Sequence, residues 1–144
     1  MPPTIQSSYG NMATAVLGAI VSMVPATFIS RTNEESTSLA FGVAVSQGSE
    51  DMGVIDYSDN VVGITVRERS SSAETPNSVG PSETARLLTK GALWVTAEVQ
   101  VAAGDAVTVI AGGLFSNTGG TALPGARWDT STSGAGQLAV LRLG

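Results

Sequence analysis

An all-β fold, as a compact β-sandwich, jelly-roll-like or β-barrel domain, is what this sequence predicts. Three observations predict it. Bulky and small residues alternate with period two in several short runs, the signature of half-buried strands. Glycine, proline, asparagine and serine clusters interrupt those runs at close intervals. The composition lacks the Glu, Lys and Leu of helical bundles: 13% of residues are charged, about half the usual share, and 17 of 144 are glycine. No stretch carries a convincing amphipathic helical period.

The elements follow in chain order. Residues 1–10 read as an extended arm, because Pro2-Pro3 disfavours a helix start and Thr4-Ile5-Gln6 favours an extended path. Tyr9-Gly10-Asn11 then turns into a single β-rich domain over residues 11–144, a normal size for one domain. Residues 1–30 carry no charged side chain, and residues 12–29 are mostly apolar. A signal peptide needs a basic start, which is missing, and a membrane span needs about 20 strongly apolar residues. Thr14, Gly18, Ser22, Pro25 and Thr27 interrupt the run, so it reads as a retained segment of a soluble chain. Whether residues 13–29 form strands or lie across a neighbour stays open.

Arg31-Thr32-Asn33-Glu34-Glu35 reads as a polar turn. Phe41, Val43 and Val45 alternate with Ala40, Gly42 and Ala44 on a strand that Gln47-Gly48-Ser49-Glu50-Asp51 closes. Residues 61–67 form the next strand, with Val62, Ile64 and Val66 on one face and Thr65 and Arg67 on the other. Residues 69–82 are the most loop-like stretch. Leu87-Leu88 belongs to a strand, and Lys90-Gly91 reads as a turn. The clearest alternation runs over residues 93–101, with Leu93, Val95, Ala97, Val99 and Val101 opposite Trp94, Thr96, Glu98 and Gln100. Ala103-Gly104-Asp105 would turn it into a hairpin with Val107 and Val109. Gly112-Gly113, Gly119-Gly120 and Pro124-Gly125 mark further turns, and the last strand groups Ala139, Leu141 and Leu143.

The chemical inventory is thin. The sequence contains no histidine and no cysteine, so the usual proton shuttle, thiol nucleophile and soft metal ligands are missing. The net charge is −5, with Lys90 as the single lysine and six scattered arginines. No basic patch suits phosphates or an anionic membrane, so neither nucleic acid nor membrane is an expected partner. Glu50, Asp51, Asp56 and Asp59 match no calcium-loop spacing and read as solvated acids. A serine nucleophile would need Lys90 or a carboxylate as its base, and Lys90 reads as a solvated turn residue. Gly119-Gly120-Thr121 lacks the lysine and helix of a phosphate loop. No enzyme, cofactor or metal is expected. Arg127-Trp128-Asp129 stands out, and reads as an ion pair flanking a buried indole.

The order of these segments resembles the capsid cement, or head decoration, proteins of tailed bacteriophages. The resemblance is carried by Ser30-Arg31-Thr32-Asn33-Glu34, Phe41-Gly42-Val43-Ala44-Val45-Ser46-Gln47-Gly48 and Val62-Gly63-Ile64-Thr65-Val66-Arg67. It continues through Lys90-Gly91-Ala92-Leu93-Trp94-Val95, Ala103-Gly104-Asp105-Ala106-Val107 and Pro124-Gly125-Ala126-Arg127-Trp128-Asp129-Thr130. Residues 69–82 fit no part of that pattern. The resemblance implies a β-rich virion protein, a homotrimer, on the outer surface of the head, bridging major capsid proteins and stabilising the expanded shell. The arm residues Thr4, Ile5, Gln6 and Tyr9 are then the expected capsid contact, and Trp94, Arg127 and Trp128 the trimer seam or core. The rival reading is a glycan- or host-surface-binding module, with Trp94 or Trp128 stacked on a sugar. A hydrolase working through dispersed carboxylates comes third.

Overall fold

Two closed rings of strands share one long strand. The computed structural model describes residues 17–20, 25–58, 60–67 and 78–143. The arm residues Thr4, Ile5, Gln6 and Tyr9, the acid Asp59 and most of the 69–82 stretch lie outside the described residues. The strands are β1 (Thr27–Asn33), β2 (Leu39–Ala40), β3 (Ala44–Gln47), β4 (Gly53–Asp56), β5 (Val61–Thr65) and β6 (Ser78–Val79). They continue with β7 (Thr84–Ala97), β8 (Ala106–Ile110), β9 (Leu114–Ser116), β10 (Thr121–Trp128) and β11 (Gln137–Leu143).

The first ring runs β1-β4-β3-β5-β7 and closes back on β1; the second runs β7-β11-β10-β8-β9 and closes back on β7. A closed ring of five strands must contain an odd number of parallel pairs, since every antiparallel pair reverses direction. Each ring has one: β1 with β4, and β7 with β9 at Ala97↔Phe115. Closure removes the sheet edges that would otherwise invite pairing with other chains.

Ring interiors this small are filled by side chains. Val45, Val54, Ala85 and Leu87 fill the first, with Leu39, Phe41 and Val79 around the short β2–β6 ribbon. Trp128, Val95, Val107, Phe115 and Leu141 fill the second. Ala44, Ile64, Val66 and Leu88 come from strands of the first ring or their extensions, yet pack with this second cluster. The two rings therefore share an apolar seam as well as a strand.

Several local expectations are corrected. Arg31, Thr32 and Asn33 end strand β1 instead of forming a turn, because Thr32 and Asn33 pair with Gly53 and Val54. The strand expected across Phe41, Val43 and Val45 starts only at Ala44; Gly42, with φ +73°, turns the chain first. At the other end of that pair, Ser46 faces Val61 and Val45 faces Gly63, so Val62 is bulged out of register. The bulge changes which side faces in: Val62 packs with the first ring's core, Ile64 and Val66 with the second's. Residues 78–82 are not loop throughout, since Ser78 and Val79 pair with β2.

The larger corrections concern β7 and β8. Lys90-Gly91 is no turn; it lies inside the 14-residue strand β7. Residues 84–90 pair with β1 and residues 91–97 with β11, so the strand passes from one ring to the other at this point. The expected β7–β8 hairpin does not form. Ala103-Gly104 does turn, but β8 pairs with β9 and β10 across the second ring. Alternation and turn chemistry mark strands without naming their partners. Pro124-Gly125 likewise sits within β10, as a bulge between Ala122↔Thr108 and Arg127↔Ala106.

Candidate functional site

Trp128, Arg127 and Asp129 occupy the end of β10, and their surroundings differ sharply. The Trp128 indole is fully buried, and its Nε1–H donates to the Ser116 carbonyl at 3.3 Å. Its backbone is clamped by the 103–104 turn: the Gly104 N–H donates to Trp128 O at 2.6 Å, and the Trp128 N–H to Asp105 O at 3.0 Å. Asp105 stiffens that turn by accepting from the Ala102 N–H at 2.9 Å and Asn117 Nδ2 at 3.0 Å. Those bonds, the Ala102 one foremost, hold its carboxyl below the ordinary aspartate value. Arg127 is exposed and donates to its neighbour's carbonyl, Ala126 O. The ion pair beside the indole forms between Asp129 and Arg142, at 2.8 Å, and not between Asp129 and Arg127. Strand pairing explains this: Arg142 arrives on β11 directly opposite Arg127, within reach of Asp129.

Trp94 lies half-buried on the second half of β7, where residues 17–20 cross it as a strap. The Gly18 N–H donates to Trp94 O at 2.8 Å, the Trp94 N–H to Ala19 O at 2.9 Å, and Ile20 bridges to Leu93. The strap also reaches the first ring, since the Arg67 N–H donates to Gly18 O and Arg67 Nε to Leu17 O. It passes so close to the 41–42 turn that a side chain on Gly42 would collide with Leu17. Trp94 and Trp128 thus belong to different environments, one half-buried on a strand whose backbone pairs with the strap and one in a core.

The acids cluster loosely around the β3–β4 end of the first ring. Glu34 accepts hydrogen bonds from the Ser49 N–H at 3.0 Å, Ser49 Oγ at 2.7 Å and the Glu50 N–H at 3.0 Å. The Ser49 hydroxyl is the largest influence holding its carboxyl below the ordinary glutamate value, followed by the Glu50 N–H. Asp56, largely exposed, is shifted the other way, by partial burial first and then by the neighbouring Glu35 charge. Among the described residues, no group of three or more carboxylates converges as a metal site.

One feature had no signal in the periodicity. A cavity of about 330 Å³ opens where the rings meet, walled by Val61, Leu123, Pro124 and Leu143, with Thr89 and Lys90 alongside. The β10 bulge creates part of it. Lys90 is exposed here, mid-strand, not on a turn. The sequence marked this place through Lys90-Gly91 and Pro124-Gly125, both of which read as turns. Leu143 was visible only as a strand residue, and Leu123 carried no signal.

Comparison with known proteins bears on what these surfaces serve. The chain matches the family described as structural cement protein (E217 gp24/Pam3 gp6) over residues 5–144. Among solved structures it is similar to a chain of the capsid of Myoviridae phage XM1, with a TM-score of 0.71 and 13% identity, covering 99% of this chain and 98% of that one. It is also similar to the N base of head fiber gp8.5 of bacteriophage phi29, with a TM-score of 0.56 and 12% identity, covering 83% and 95%. No curated protein matches the sequence. At such identities the two structures speak to the fold alone.

Proposed function

Since this chain belongs to the phage structural cement protein family, a family of virion proteins associated with the capsid, we propose that it binds the outer surface of the head and bridges neighbouring major capsid subunits. In this reading it stabilises the expanded shell by mass action. A protein that binds only the expanded state shifts the equilibrium toward it without altering any covalent bond. The family match over nearly the whole chain carries the reading. The net charge of −5 suits an outer position, because an acidic inner lining would repel the packaged genome.

The proposed organisation is an arm of residues 1–10 followed by one domain, assembled as a homotrimer. Three weak arm contacts engaged together would give avidity well beyond a single one. Because both rings are closed, the free sheet edges among the described residues are confined to the short β2–β6 ribbon. The arm residues Thr4, Ile5, Gln6 and Tyr9 are then the better donors of a strand to a capsid sheet. Trp128 is sealed in the core and unable to stack on a sugar, which leaves the glycan-binding alternative to the half-buried Trp94 alone.

The test is binding of purified protein to isolated heads before and after expansion. Tighter binding to expanded heads is expected. Equal affinity for the two would remove the mass-action mechanism. Deleting residues 2–9 should weaken binding while leaving thermal melting nearly unchanged, and normal decoration by the truncated protein would refute the arm assignment.

A further inference from the structure

We propose that the cavity at the seam of the two rings is a socket for an apolar side chain flanked by a carboxylate, presented by the capsid protein. The proposal rests on the capsid-binding reading above and specifies its chemistry.

The socket exists because strand pairing fails locally on one side of β7. β5 pairs with β7 at Ile64↔Leu88 and Thr65↔Leu87. β11 takes over only at Gly91↔Leu143. Thr89 and Lys90 are left without a strand partner on that side. Opposite them, residues 123–126 bulge out of the β10–β8 ladder, and Pro124 has no N–H to offer. The lining therefore mixes the apolar side chains of Val61, Leu123, Pro124 and Leu143 with a comparable share of polar surface from Thr89, Lys90 and unladdered backbone. Such a site accepts an apolar group at its centre and polar contacts around it, the usual anatomy of an interface anchor. A volume of about 330 Å³ lies at the small end of ligand pockets, which span roughly 300–1,000 Å³. It suits one anchoring side chain better than an extended ligand.

Charge selects the partner's second group. Lys90 is the single lysine of a chain with net charge −5, it is exposed at the cavity, and among the described residues no carboxylate pairs with it. A cation at the rim of an apolar socket favours an approaching carboxylate and sets association rate and salt dependence. A second copy's N-terminal stretch fits less well, because residues 1–30 contain no carboxylate.

The test uses the full chain and expanded heads stripped of it, with affinity read by co-sedimentation at several salt concentrations. Lys90→Glu should weaken binding about tenfold, and Lys90→Gln should weaken it less while flattening its salt dependence. Leu123→Trp, which fills the socket, should weaken binding at every salt concentration. Lys90 is exposed, so its variants should melt like the wild type even if Leu123→Trp does not. Wild-type affinity and salt dependence in both Lys90 variants would overturn the socket. So would a loss of binding that merely tracks lost self-association in sedimentation, because the occupant would then be a second copy. Failure of the wild-type chain to bind heads at all would instead sink the capsid-binding reading itself.

Discussion

Asn33 and Glu34, adjacent at the end of β1, hold different parts of the first ring with their side chains. Asn33 is buried to 1% exposure. Its Nδ2 donates to the carbonyls of Thr37, Val79 and Gly80 at 3.0–3.1 Å, and its Oδ1 accepts from the Glu35 N–H at 2.8 Å. One amide thus ties the β2–β6 ribbon to β1, and removing it strands buried carbonyls. Asn33→Ala should destabilise the protein by about 3 kcal/mol in chemical denaturation; a loss near zero would mean that water replaces the amide. Glu34 instead organises the β3–β4 loop, and Gly48 and Gly53 are small because a side chain at either would collide with its carboxylate. Its hydrogen bonds lower its carboxyl pKa, so its contribution is fully present above the ordinary glutamate value of about 4.3. That contribution fades as pH falls through the lower, folded-state value. Glu34→Gln should therefore lower the melting temperature at pH 7 and narrow that gap as pH approaches 3. Parallel melting curves across that range would contradict the assignment.

At the scale of elements, β7 decides the architecture and Gly91 decides β7. The strand must leave one ring and enter the other, and it does so just past the break in its pairing, at Gly91 with φ +127°. A Cβ there would also lie 2.9 Å from Ala26 Cβ. Gly91→Val combines backbone strain of order 1–3 kcal/mol with that collision, and should cost at least about 2 kcal/mol. Lys90→Val, one residue earlier and exposed, should stay within about 0.5 kcal/mol. Equal effects at the two positions would show that the bend tolerates a side chain. The same residue shows where sequence reading reached its limit. Leu93, Val95 and Ala97 announced a buried strand face by period alone, and each is fully buried. Lys90-Gly91 and Pro124-Gly125 have the chemistry of turns, but positive φ and a missing N–H serve equally for a bend or bulge within a strand. Partner choice depends on residues far away, as the absent β7–β8 hairpin shows. The seam cavity was invisible for that reason: its walls come from four strands whose meeting no local pattern records.

Across the whole molecule, the shared strand and shared core predict how the protein unfolds. Two five-stranded rings on separate segments would melt as two units. Here β7 supplies a wall to both, and Ile64, Val66 and Leu88 pack into the same cluster as Trp128 and Leu141. Tyr57, just beyond β4, adds a 2.6 Å hydrogen bond from its hydroxyl to Thr121 Oγ1 on β10. Opening the first ring exposes one side of the second ring's core, so neither has a stable state without the other. Unfolding should be a single cooperative transition, as for most single domains of this size. Asn33→Ala offers the decisive comparison, because it weakens only the first ring, whereas Trp128 and Trp94, both on strands of the second ring, report the second. Tryptophan fluorescence and far-ultraviolet circular dichroism should shift together in that variant, by the same amount. If fluorescence kept its wild-type midpoint while the dichroism moved, the rings would be separate folding units, and one domain over residues 11–144 would be the wrong description.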